Sequence, residues 1–331
     1  MRSVSNAQSL DVTIRPLKLG PTDYARYVRL HSLVEPDHPT TLEDAEKTIK
    51  GRDPKLEHAH YFAELDGEVV GYARYSQLRD RYHPQTFSLH VRTHPAWRRR
   101  GVGASLYQHL SEKLEPFSPL LFVSGATEDR PDALRFLKTR GFGEEARYFE
   151  SRLDLATFNE TPYTDLLRTV AEGPLDVRPL AEIMPGTPDY RQRMFDLDWQ
   201  LTLDEPAPYE HTKPEPEAWI ENYFEHPRFS PDSILIARDG DTWVGISELR
   251  LTPKEGVIGN WFTALHQNYR GQGIATAMKV RNILWAHEQG YREIRTDNNS
   301  LNRPMLNINE RLGFIKQPAY IGFRKELRRA P

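Results

Sequence analysis

The amino-acid sequence predicts an α/β (α+β) fold built twice, each copy a mixed, mostly antiparallel sheet flanked by helices. Three observations lead to this prediction. Strand and turn landmarks recur at a nearly constant spacing, Asp-Gly turns join apolar segments of strand length, and leucines recur at every fourth residue. With 331 residues, the chain is long enough for two domains that each have a core.

Composition narrows the class of protein. Hydrophobic residues make up 38% and charged residues 27% of the chain, and a net charge of −3 gives no basic face for general nucleic-acid binding. The chain has no cysteine, so disulfides, thiolate nucleophiles and zinc-thiolate sites are excluded. No segment has the length of a membrane span, and the N-terminal segment lacks the apolar run of a signal peptide. We therefore expect a cytoplasmic protein without a metal site.

The repeat fixes the order of the elements. Glu35-Pro36 recurs as Glu205-Pro206, an offset of 205 − 35 = 170, and Gly101 recurs as Gly273, an offset of 273 − 101 = 172. The chain thus reads as two units of about 150 residues, predicted as an N-terminal domain at 1–156, a linker at 157–173 and a C-terminal domain at 174–331. Generic strand and turn signals remain the alternative explanation of these matches.

Each element has a matching segment in both copies. An opening strand at 12–17 matches 175–180, and a hairpin at 61–75 matches 234–249. After the loops, Leu106, Leu110 and Leu114 form one helical stripe, and Ile274 and Met278 begin the same pattern. A strand then follows at 119–125 and 292–298. A short helix ending in Gly-Phe closes each copy.

Two glycine-containing loops carry the chemical signal. The segments "RRRGVG" at 98–103 and "RGQGIA" at 270–275 both lie between a strand and a helix. Glycine lets the backbone approach a ligand, and amide groups at a helix N-terminus converge on an anion, so a pyrophosphate suits such a turn. No Gly-Lys-(Ser/Thr) follows, which excludes a Walker loop, and the dinucleotide-binding Gly-x-Gly-x-x-Gly lacks its third glycine. A turn without any ligand is the alternative.

The order of strand, histidine, aromatic residue, Arg-x-x-Gly-x-(Gly/Ala) loop, helix, strand and Gly-Phe helix resembles the GNAT N-acetyltransferase superfamily. The resemblance covers nearly the whole chain twice, in a tandem-domain layout similar to that of mycothiol synthases. It implies two tandem GNAT domains, each with a sheet that splays open after strand 4. It also implies a GNAT-type acyltransferase that holds acetyl-CoA (coenzyme A) in the opening.

The resemblance further implies that pantetheine pairs with the backbone of the fourth strand and that the pyrophosphate lies on the loop. The implied cofactor-binding residues of the first copy are Val91, Arg92, Thr93, Arg98, Arg99, Arg100, Gly101, Val102 and Gly103. Those of the second copy are Thr263, Ala264, Leu265, Arg270, Gly271, Gln272, Gly273, Ile274, Ala275 and Asn302.

A later family motif separates the two copies. In Asn-x-x-Ala-x-x-x-Tyr-x-x-x-Gly-Phe, the Asn contacts the cofactor and the Tyr protonates the departing thiolate. The second copy keeps Asn302 but has Asn309 in place of the Tyr, whereas the first copy has Arg130 and Leu137. We therefore predict that the second copy is catalytic and that the first is a cofactor-binding or degenerate unit. Helix capping is the alternative role of these asparagines.

The candidate catalytic residues are Glu248, Tyr320 and Asn309. Many relatives take the amine proton with a Glu on the fourth strand. Here that strand has none, and Glu248 on the preceding strand is the nearest carboxylate. Tyr320 could replace the missing Tyr, and backbone N–H groups near Ala264 could hold an oxyanion. A surface-facing strand residue is the alternative for Glu248, and a core or hairpin tyrosine for Tyr320.

The predicted acceptor is a small amine. The first two helices usually cover the acceptor pocket, and in the second copy this region, 194–224, is acidic with interleaved aromatic residues. Such a lining would attract a cation. A solvated acidic face over an aromatic core is the alternative. The acidic residues are Asp196, Asp198, Asp204, Glu205, Glu210, Glu215 and Glu217, and the aromatic ones are Trp199, Tyr209 and Trp219.

These observations together predict an acetyl-CoA-dependent N-acetyltransferase that acts on a small amine by direct transfer, without a covalent intermediate. A non-catalytic acyl-CoA-binding or sensing protein, and an acyltransferase on a hydroxyl or peptide, are the alternatives. The expected partner is the small-molecule acceptor, with no nucleic acid and no membrane. Two copies could pack as a pseudo-dimer within one monomer.

Overall fold

The structure, a computed structural model, describes residues 12–50 and 55–327. Residues 1–11, where we expect no signal peptide, lie outside this part. Within it, none of the helices is long and apolar enough to cross a membrane. The chain divides into two compact units: unit 1 comprises residues 1–126, 131–145 and 322–331, and unit 2 comprises residues 127–130 and 146–321.

Unit 1 follows the predicted order of elements. Its elements are β1 (Thr13–Pro16), α1 (Pro21–Val34), α2 (Leu42–Lys50), β2 (His58–Leu65), β3 (Glu68–Ser76), β4 (Thr86–Thr93), α3 (Val102–Leu114), β5 (Leu121–Thr127) and α4 (Pro131–Lys138). The β2–β3 turn has positive φ at both Asp66 and Gly67, as a two-residue hairpin requires. In α3, the predicted stripe of Leu106, Leu110 and Leu114 is buried.

Unit 2 repeats this order and adds a helix before its first repeat strand. Its elements are β6 (Gly143–Asp154), α5 (Thr164–Ala171), β7 (Asp176–Pro179), α6 (Leu180–Ile183), α7 (Tyr190–Thr202), α8 (Pro216–Phe224), β8 (Ile234–Asp239), β9 (Thr242–Leu251), β10 (Val257–Leu265), α9 (Ile274–Glu288), β11 (Glu293–Asn299), α10 (Arg303–Arg311) and β12 (Ile315–Lys316). The predicted linker 157–173 therefore contains a helix, α5. The last strand of the chain, β13 (Tyr320–Glu326), belongs to unit 1 from residue 322 onward.

The last strand of each unit comes from the other sequence copy. In unit 2, β6 pairs antiparallel with β11 from Asp154↔Glu293 to Tyr148↔Asn299, although β6 follows the Gly-Phe of the first copy. In unit 1, β5 has β13 as its neighbour, and Leu327 N–H donates to Leu120 O at 2.9 Å. The compact units thus differ in extent from the sequence repeats. The boundaries 1–156, 157–173 and 174–331 stay a prediction about the repeats.

Each unit has a mixed sheet in which its fourth and fifth repeat strands pair in parallel, and this parallel contact is short. In unit 1, β4 pairs with β5 only from Thr86↔Leu121 to Ser88↔Val123. In unit 2, β10 pairs with β11 only from Val257↔Glu293 to Asn260↔Thr296. Beyond these residues β4 and β10 continue while paired on one side only, to β3 and β9. The predicted splay after the fourth strand of each copy is confirmed.

The sheet of unit 2 separates two apolar layers. Ile236, Ile246 and Trp243 pack with α7 and α8 on one face. Leu249 and Ile258 pack with Val280 of α9 on the other. Helix α9 buries polar residues as well, Lys279 and Asn282, at 2% exposure each.

Candidate active site

The turn at 270–273 leads from β10 into α9. Gly271 and Gly273 both have φ of 77°, in the left-handed region where glycine is not strained. The first intrahelical bond of α9 runs from Ala277 N–H to Gly273 O at 2.9 Å. The amides that precede Ala277 in the first turn have no helical acceptor, so they are available to an anion.

Arg270, beside this turn, already has partners. Its Nε donates to Leu265 O at 2.9 Å, and its Nη2 donates to Asp204 Oδ2 at 2.6 Å. Both side chains of the ion pair are half exposed. An incoming anion would therefore compete with Asp204 for this guanidinium.

The equivalent turn of unit 1 has positive φ at the same two positions, 99 and 101, but one of them is not a glycine. Gly101 has φ of 90°, and Arg99 adopts φ of 63°, which is uncommon for a residue other than glycine. Arg99 pairs with Asp132 at 2.8 Å. The Arg100 guanidinium lies 5.1 Å from the centroid of the Trp97 ring. Two of the three arginines predicted for this turn, Arg99 and Arg100, thus have protein partners.

One edge of β10 faces the opening in unit 2. His266 N–H donates to Val244 O of β9 at 2.8 Å. Because backbone groups alternate along a strand, Thr263 and Leu265 direct theirs away from β9, toward the opening. Leu265 O accepts from Arg270, which leaves both backbone groups of Thr263 and the N–H of Leu265 directed into the opening.

The corresponding edge of unit 1 is partly occupied by its own side chains. His94 N–H donates to Val70 O, so Leu89, Val91 and Thr93 face the opening. Ser124 Oγ donates to Leu89 O at 2.8 Å, and Arg92 Nη1 donates to Val91 O at 3.2 Å. A pantetheine chain would find these two carbonyls already bonded.

A pocket of about 1380 Å³ in unit 2 connects the open edge of β10 with the turn. Pockets for small ligands usually measure roughly 300–1,000 Å³, so this pocket has room for an extended ligand. Of the residues predicted to bind the cofactor, it is lined by Thr263, Ala264, Leu265, Arg270, Gly271, Gly273, Ile274, Ala275 and Asn302. The structure thus brings together all the predicted residues of the second copy except Gln272, whose side chain bonds Asn268 O.

A buried polar network follows the inner face of this pocket. Lys279 Nζ donates to Asn260 Oδ1, at the residue where β10 and β11 separate. Asn260 Nδ2 donates to Glu248 O at 3.0 Å and to Thr263 Oγ1 at 3.2 Å. Asn282 donates to Ser247 O and Oγ, each at 3.0 Å, and Ser247 Oγ lies 2.9 Å from Thr263 Oγ1.

A bulge in β10 changes which face its next side chains occupy. The register with β9 shifts between Asn260 and Phe262, so Trp261 is the extra residue. Asn260 contacts α9, whereas Phe262 packs into the α7–α8 layer and Trp261 is 67% exposed. Bulges re-aim side chains in this way beside active sites. Strand β4 of unit 1 pairs with β3 without such a shift.

A charged and aromatic cluster lies on the α7–α8 face of unit 2. Glu248 of β9 is 1% exposed and bonds Arg250. The Arg250 guanidinium lies between two rings, 4.8 Å from the centroid of Tyr223 and 4.5 Å from that of Trp261. Glu248 Oε2 and the Tyr223 hydroxyl are buried without a hydrogen bond of good geometry in the described part of the chain. Trp219 stacks on Tyr223 with ring centroids 4.5 Å apart.

The carboxyl groups on this face have raised pKa values. Burial raises the pKa of Glu248, against the opposing effect of Arg250. Burial also raises the pKa of Asp198 on α7 to about 7, with a further contribution from the negative charge of Glu248. Two carboxyl groups that share a site in this way can hold a proton near neutral pH.

The three predicted catalytic residues lie in different surroundings. Glu248 is buried, so its surface-facing alternative is wrong. Asn309 is 1% exposed in α10, and its Nδ2 donates to Asn298 Oδ1 at 2.7 Å. Tyr320 begins β13 and is not among the residues that line the pocket.

The Asn302 side chain accepts from Met305 N–H at 3.3 Å, so the helix-capping alternative applies to it while it also lines the pocket.

The acidic region 194–224 is mostly a solvated surface. Asp196, Glu210, Glu215 and Glu217 are exposed, and Asp198 is partly buried. Sequence reasoning missed Lys279 and Asn260. A lysine within the apolar spacing of α9 was the signal that could have drawn attention to the first.

The two units differ in charge at matched positions. Gly71↔Thr93 in unit 1 matches Gly245↔Leu265 in unit 2, so Arg74 stands at the position of Glu248 and Ser76 at that of Arg250. The carboxylate that could accept a proton is therefore present in unit 2 and replaced by a cation in unit 1.

Comparison with known sequences gives a family match. A model described as the acetyltransferase (GNAT) family matches residues 27–142 and again residues 193–314. The chain is similar to the mycothiol acetyltransferase of Parafrankia sp. (strain EAN1pec), at 26% identity over 216 residues, 62% of this chain and 55% of that protein. It is also similar to an SPbeta prophage-derived uncharacterized N-acetyltransferase of Bacillus subtilis (strain 168), at 28% identity over 100 residues, 30% of this chain and 55% of that protein. The matches span about half the length of these curated relatives.

Solved structures share the fold along the whole chain. A tandem GNAT protein from the clavulanic acid biosynthesis pathway has a TM-score of 0.76 at 18% identity, covering 97% of this chain and 100% of that one. A GCN5-related N-acetyltransferase from Sphaerobacter thermophilus has a TM-score of 0.69 at 20% identity, covering 97% of each chain. Since the family model matches both repeats and more than half of the sequence, the chain belongs to the acetyltransferase (GNAT) family, as a tandem member and an acyltransferase.

Proposed function

We propose that the chain is an acetyl-CoA-dependent N-acetyltransferase whose unit 2 transfers the acetyl group directly to a small amine. The observation that carries the proposal is the continuous pocket that joins the open edge of β10 to the glycine turn before α9. Directed backbone groups and free helix amides are what an extended ligand with an internal diphosphate would use.

The residues of unit 2 fit coenzyme A. The backbone groups of Thr263 and the N–H of Leu265 would hold pantetheine, and the amides of Ile274 and Ala275 would hold the diphosphate. Arg270 would exchange Asp204 for a phosphate oxygen, which binds a guanidinium in the same way. Coenzyme A would supply the activated acetyl group.

The Asp198–Glu248 pair supplies a place for the amine proton. An amine attacks only as the free base, so a neighbouring group must accept one proton during transfer. Burial raises the pKa of both carboxyl groups, that of Asp198 to about 7, which suits a base that works at neutral pH. Trp219, Tyr223 and Trp261 form an aromatic surround for the acceptor.

Unit 1 lacks three features of the unit 2 site: an open backbone edge on the fourth strand, a bulge in that strand, and the buried carboxylate. Its β4 carbonyls are partly bonded, its fourth strand has no bulge, and Arg74 occupies the position of Glu248. We therefore assign catalysis to unit 2 and expect one catalytic coenzyme A site in each chain.

Calorimetry with coenzyme A, paired with turnover across a panel of amines, tests this proposal. Ala275→Glu places a negative charge in the first turn of α9, where the helix tolerates it, and should abolish binding and turnover. Ala275→Gln is the matched neutral control, and Gly103→Glu is the equivalent change in unit 1. Activity that survives Ala275→Glu and is lost in Gly103→Glu would overturn the proposal and assign catalysis to unit 1.

A non-catalytic acyl-CoA-binding protein is the second candidate, favoured by Asn309 at the position of the family's Tyr. It predicts coenzyme A binding without thiol release for any amine, hydroxyl or peptide acceptor. Turnover only with hydroxyl or peptide acceptors would instead change the acceptor class.

A further inference from the structure

Lys279 occupies an unusual position for a lysine. It lies in the second turn of α9, faces the sheet where β10 and β11 separate, and is 2% exposed. Its side chain nevertheless lines the unit 2 pocket, and its Nζ is held by Asn260 Oδ1. Buried ammonium groups are rare unless they are paired.

No carboxylate in the described part of the chain pairs with Lys279. The ring centroid of Phe314 is 5.3 Å from its Nζ. Burial alone lowers the pKa of Lys279 to about 7. A cation in this position would gain a counter-ion if the pocket held an anion beside Asn260.

Other charged residues also line the pocket, but none of them pairs with Lys279 in the described part of the chain. Those that line the pocket are Asp204, Glu205, Arg270, Asp297, Glu310 and Arg311. Glu248 packs on the opposite face of the sheet, and only its backbone carbonyl reaches Asn260. None of these carboxylates contributes to the pKa of Lys279.

The chemistry of acetyl transfer produces an anion that could fill this role. When an amine displaces a thioester sulfur, the sulfur leaves with the electron pair of the C–S bond, and a free thiol has a pKa near 8.5. A group that stabilises and protonates this sulfur therefore lowers the barrier. Asn309 cannot do so as an acid, because an amide does not release a proton at neutral pH.

We propose that Lys279 is a catalytic residue that holds the sulfur of coenzyme A as its counter-ion and delivers the proton to it. The proposal rests on the proposed function, since it requires coenzyme A in the unit 2 pocket. Asn260 aims the ammonium group, and Thr263, Ser247 and Asn282 hold Asn260 in turn. In unit 1 the position offset by 172 is Tyr107, so this lysine belongs to unit 2 alone.

The proposed step balances as follows. The amine nitrogen forms a bond to the carbonyl carbon, and the C–S bond breaks with its electron pair on sulfur. A proton moves from Lys279 Nζ to sulfur, which leaves a neutral amine on Lys279 and a thiol on coenzyme A. The Asp198–Glu248 pair takes the proton of the acceptor amine, and exchange with solvent restores both groups.

Binding measurements test this proposal without turnover. Coenzyme A and desulfo-coenzyme A are titrated into the wild type, Lys279→Met, Lys279→Arg and the control Lys113→Met, an exposed lysine of α3. The wild type and Lys113→Met should prefer coenzyme A about tenfold above pH 8, because the bound thiolate raises the pKa of Lys279 and so keeps an ammonium group as its partner. Lys279→Met should lose this preference and bind desulfo-coenzyme A at least as well as the wild type. Lys279→Arg, which keeps the charge, should retain part of the preference.

The thiolate absorbance of bound coenzyme A gives a second readout. In the wild type it should appear at a pH at least one unit below that of free coenzyme A, and in Lys279→Met at or above the free value. Equal titrations in the two proteins would overturn the proposal for Lys279 alone. Failure of the wild type to bind either ligand would overturn the proposed function as well.

Discussion

Leu166 of α5 lies directly against Gly273, the N-cap residue of α9. A Cβ on Gly273 would come within 2.6 Å of Leu166 Cδ1. Pro162, Tyr163 and Leu166 all line the unit 2 pocket, and the Tyr163 hydroxyl donates to Arg311 O at 2.6 Å. The segment between the two repeats is therefore part of the wall of the candidate cofactor site.

This contact predicts that residue 166 controls the affinity for coenzyme A. Leu166→Glu should weaken binding by about tenfold or more, roughly 1.4 kcal/mol, because a carboxylate would stand beside the diphosphate. Leu166→Gln, similar in size and uncharged, is the matched control and should bind nearly as the wild type does. Calorimetry at two salt concentrations checks the cause, since the deficit of Leu166→Glu should shrink at high salt. If Leu166→Glu and Leu166→Gln lost the same affinity for coenzyme A, the cause would be the lost packing of Leu166 and not the new charge.

Stability should depend on pH through Lys279. Its pKa in the folded chain is lowered from 10.5 to about 7, so between these values the unfolded chain binds a proton that the folded chain does not. The free energy of unfolding therefore rises with pH across this window, and the buried charge exerts its full cost below pH 7. Lys279→Met removes that cost, which is at most about 5 kcal/mol.

Differential scanning calorimetry checks the size and sign of this effect. Lys279→Met should raise the melting temperature of unit 2 by several degrees at pH 6, and the gain should shrink as the pH rises toward 9. Lys113→Met should show no such trend. A gain that is independent of pH would mean that the folded and unfolded chains bind the same number of protons at Lys279, so folding would leave its pKa unchanged.

The sequence predicted the parts of the site that depend on backbone, and it missed those that depend on side-chain direction. The glycine turns follow from local patterns and a repeated order, whereas the splayed fourth strands and the cofactor-binding residues of 263–275 are implied by the resemblance to the family. The separation of Asn260 from Phe262 onto opposite faces depends on one extra residue in β10, which strand alternation alone does not reveal. The exchange of β6 and β13 depends on long-range pairing, for which the repeat gives no signal.

The carboxyl groups of Asp198 and Glu248 predict that the acetyltransferase activity falls at low pH. The pKa of Asp198 is raised to about 7, and the base must be deprotonated, so kcat/KM should rise with pH through about 7. Asp198→Asn removes the carboxyl group whose pKa is about 7, so the limb near pH 7 should be lost. An acceptor amine that stays neutral over this range keeps its own titration out of the profile. Asp196→Asn, an exposed change in the same helix, is the control.

Replacement of Glu248 should separate binding from chemistry. Glu248→Gln keeps the shape and leaves Arg250 between Tyr223 and Trp261, but it removes the carboxylate that takes the amine proton. Since general-base catalysis contributes about 10²–10⁴ in rate, kcat should fall by at least about a hundredfold while coenzyme A binds as before. Glu255→Gln, an exposed residue after β9, is the control. If Glu248→Gln kept its kcat and lost only affinity for the amine, Glu248 would be an acceptor-binding residue, and the base would have to lie elsewhere on the α7–α8 face.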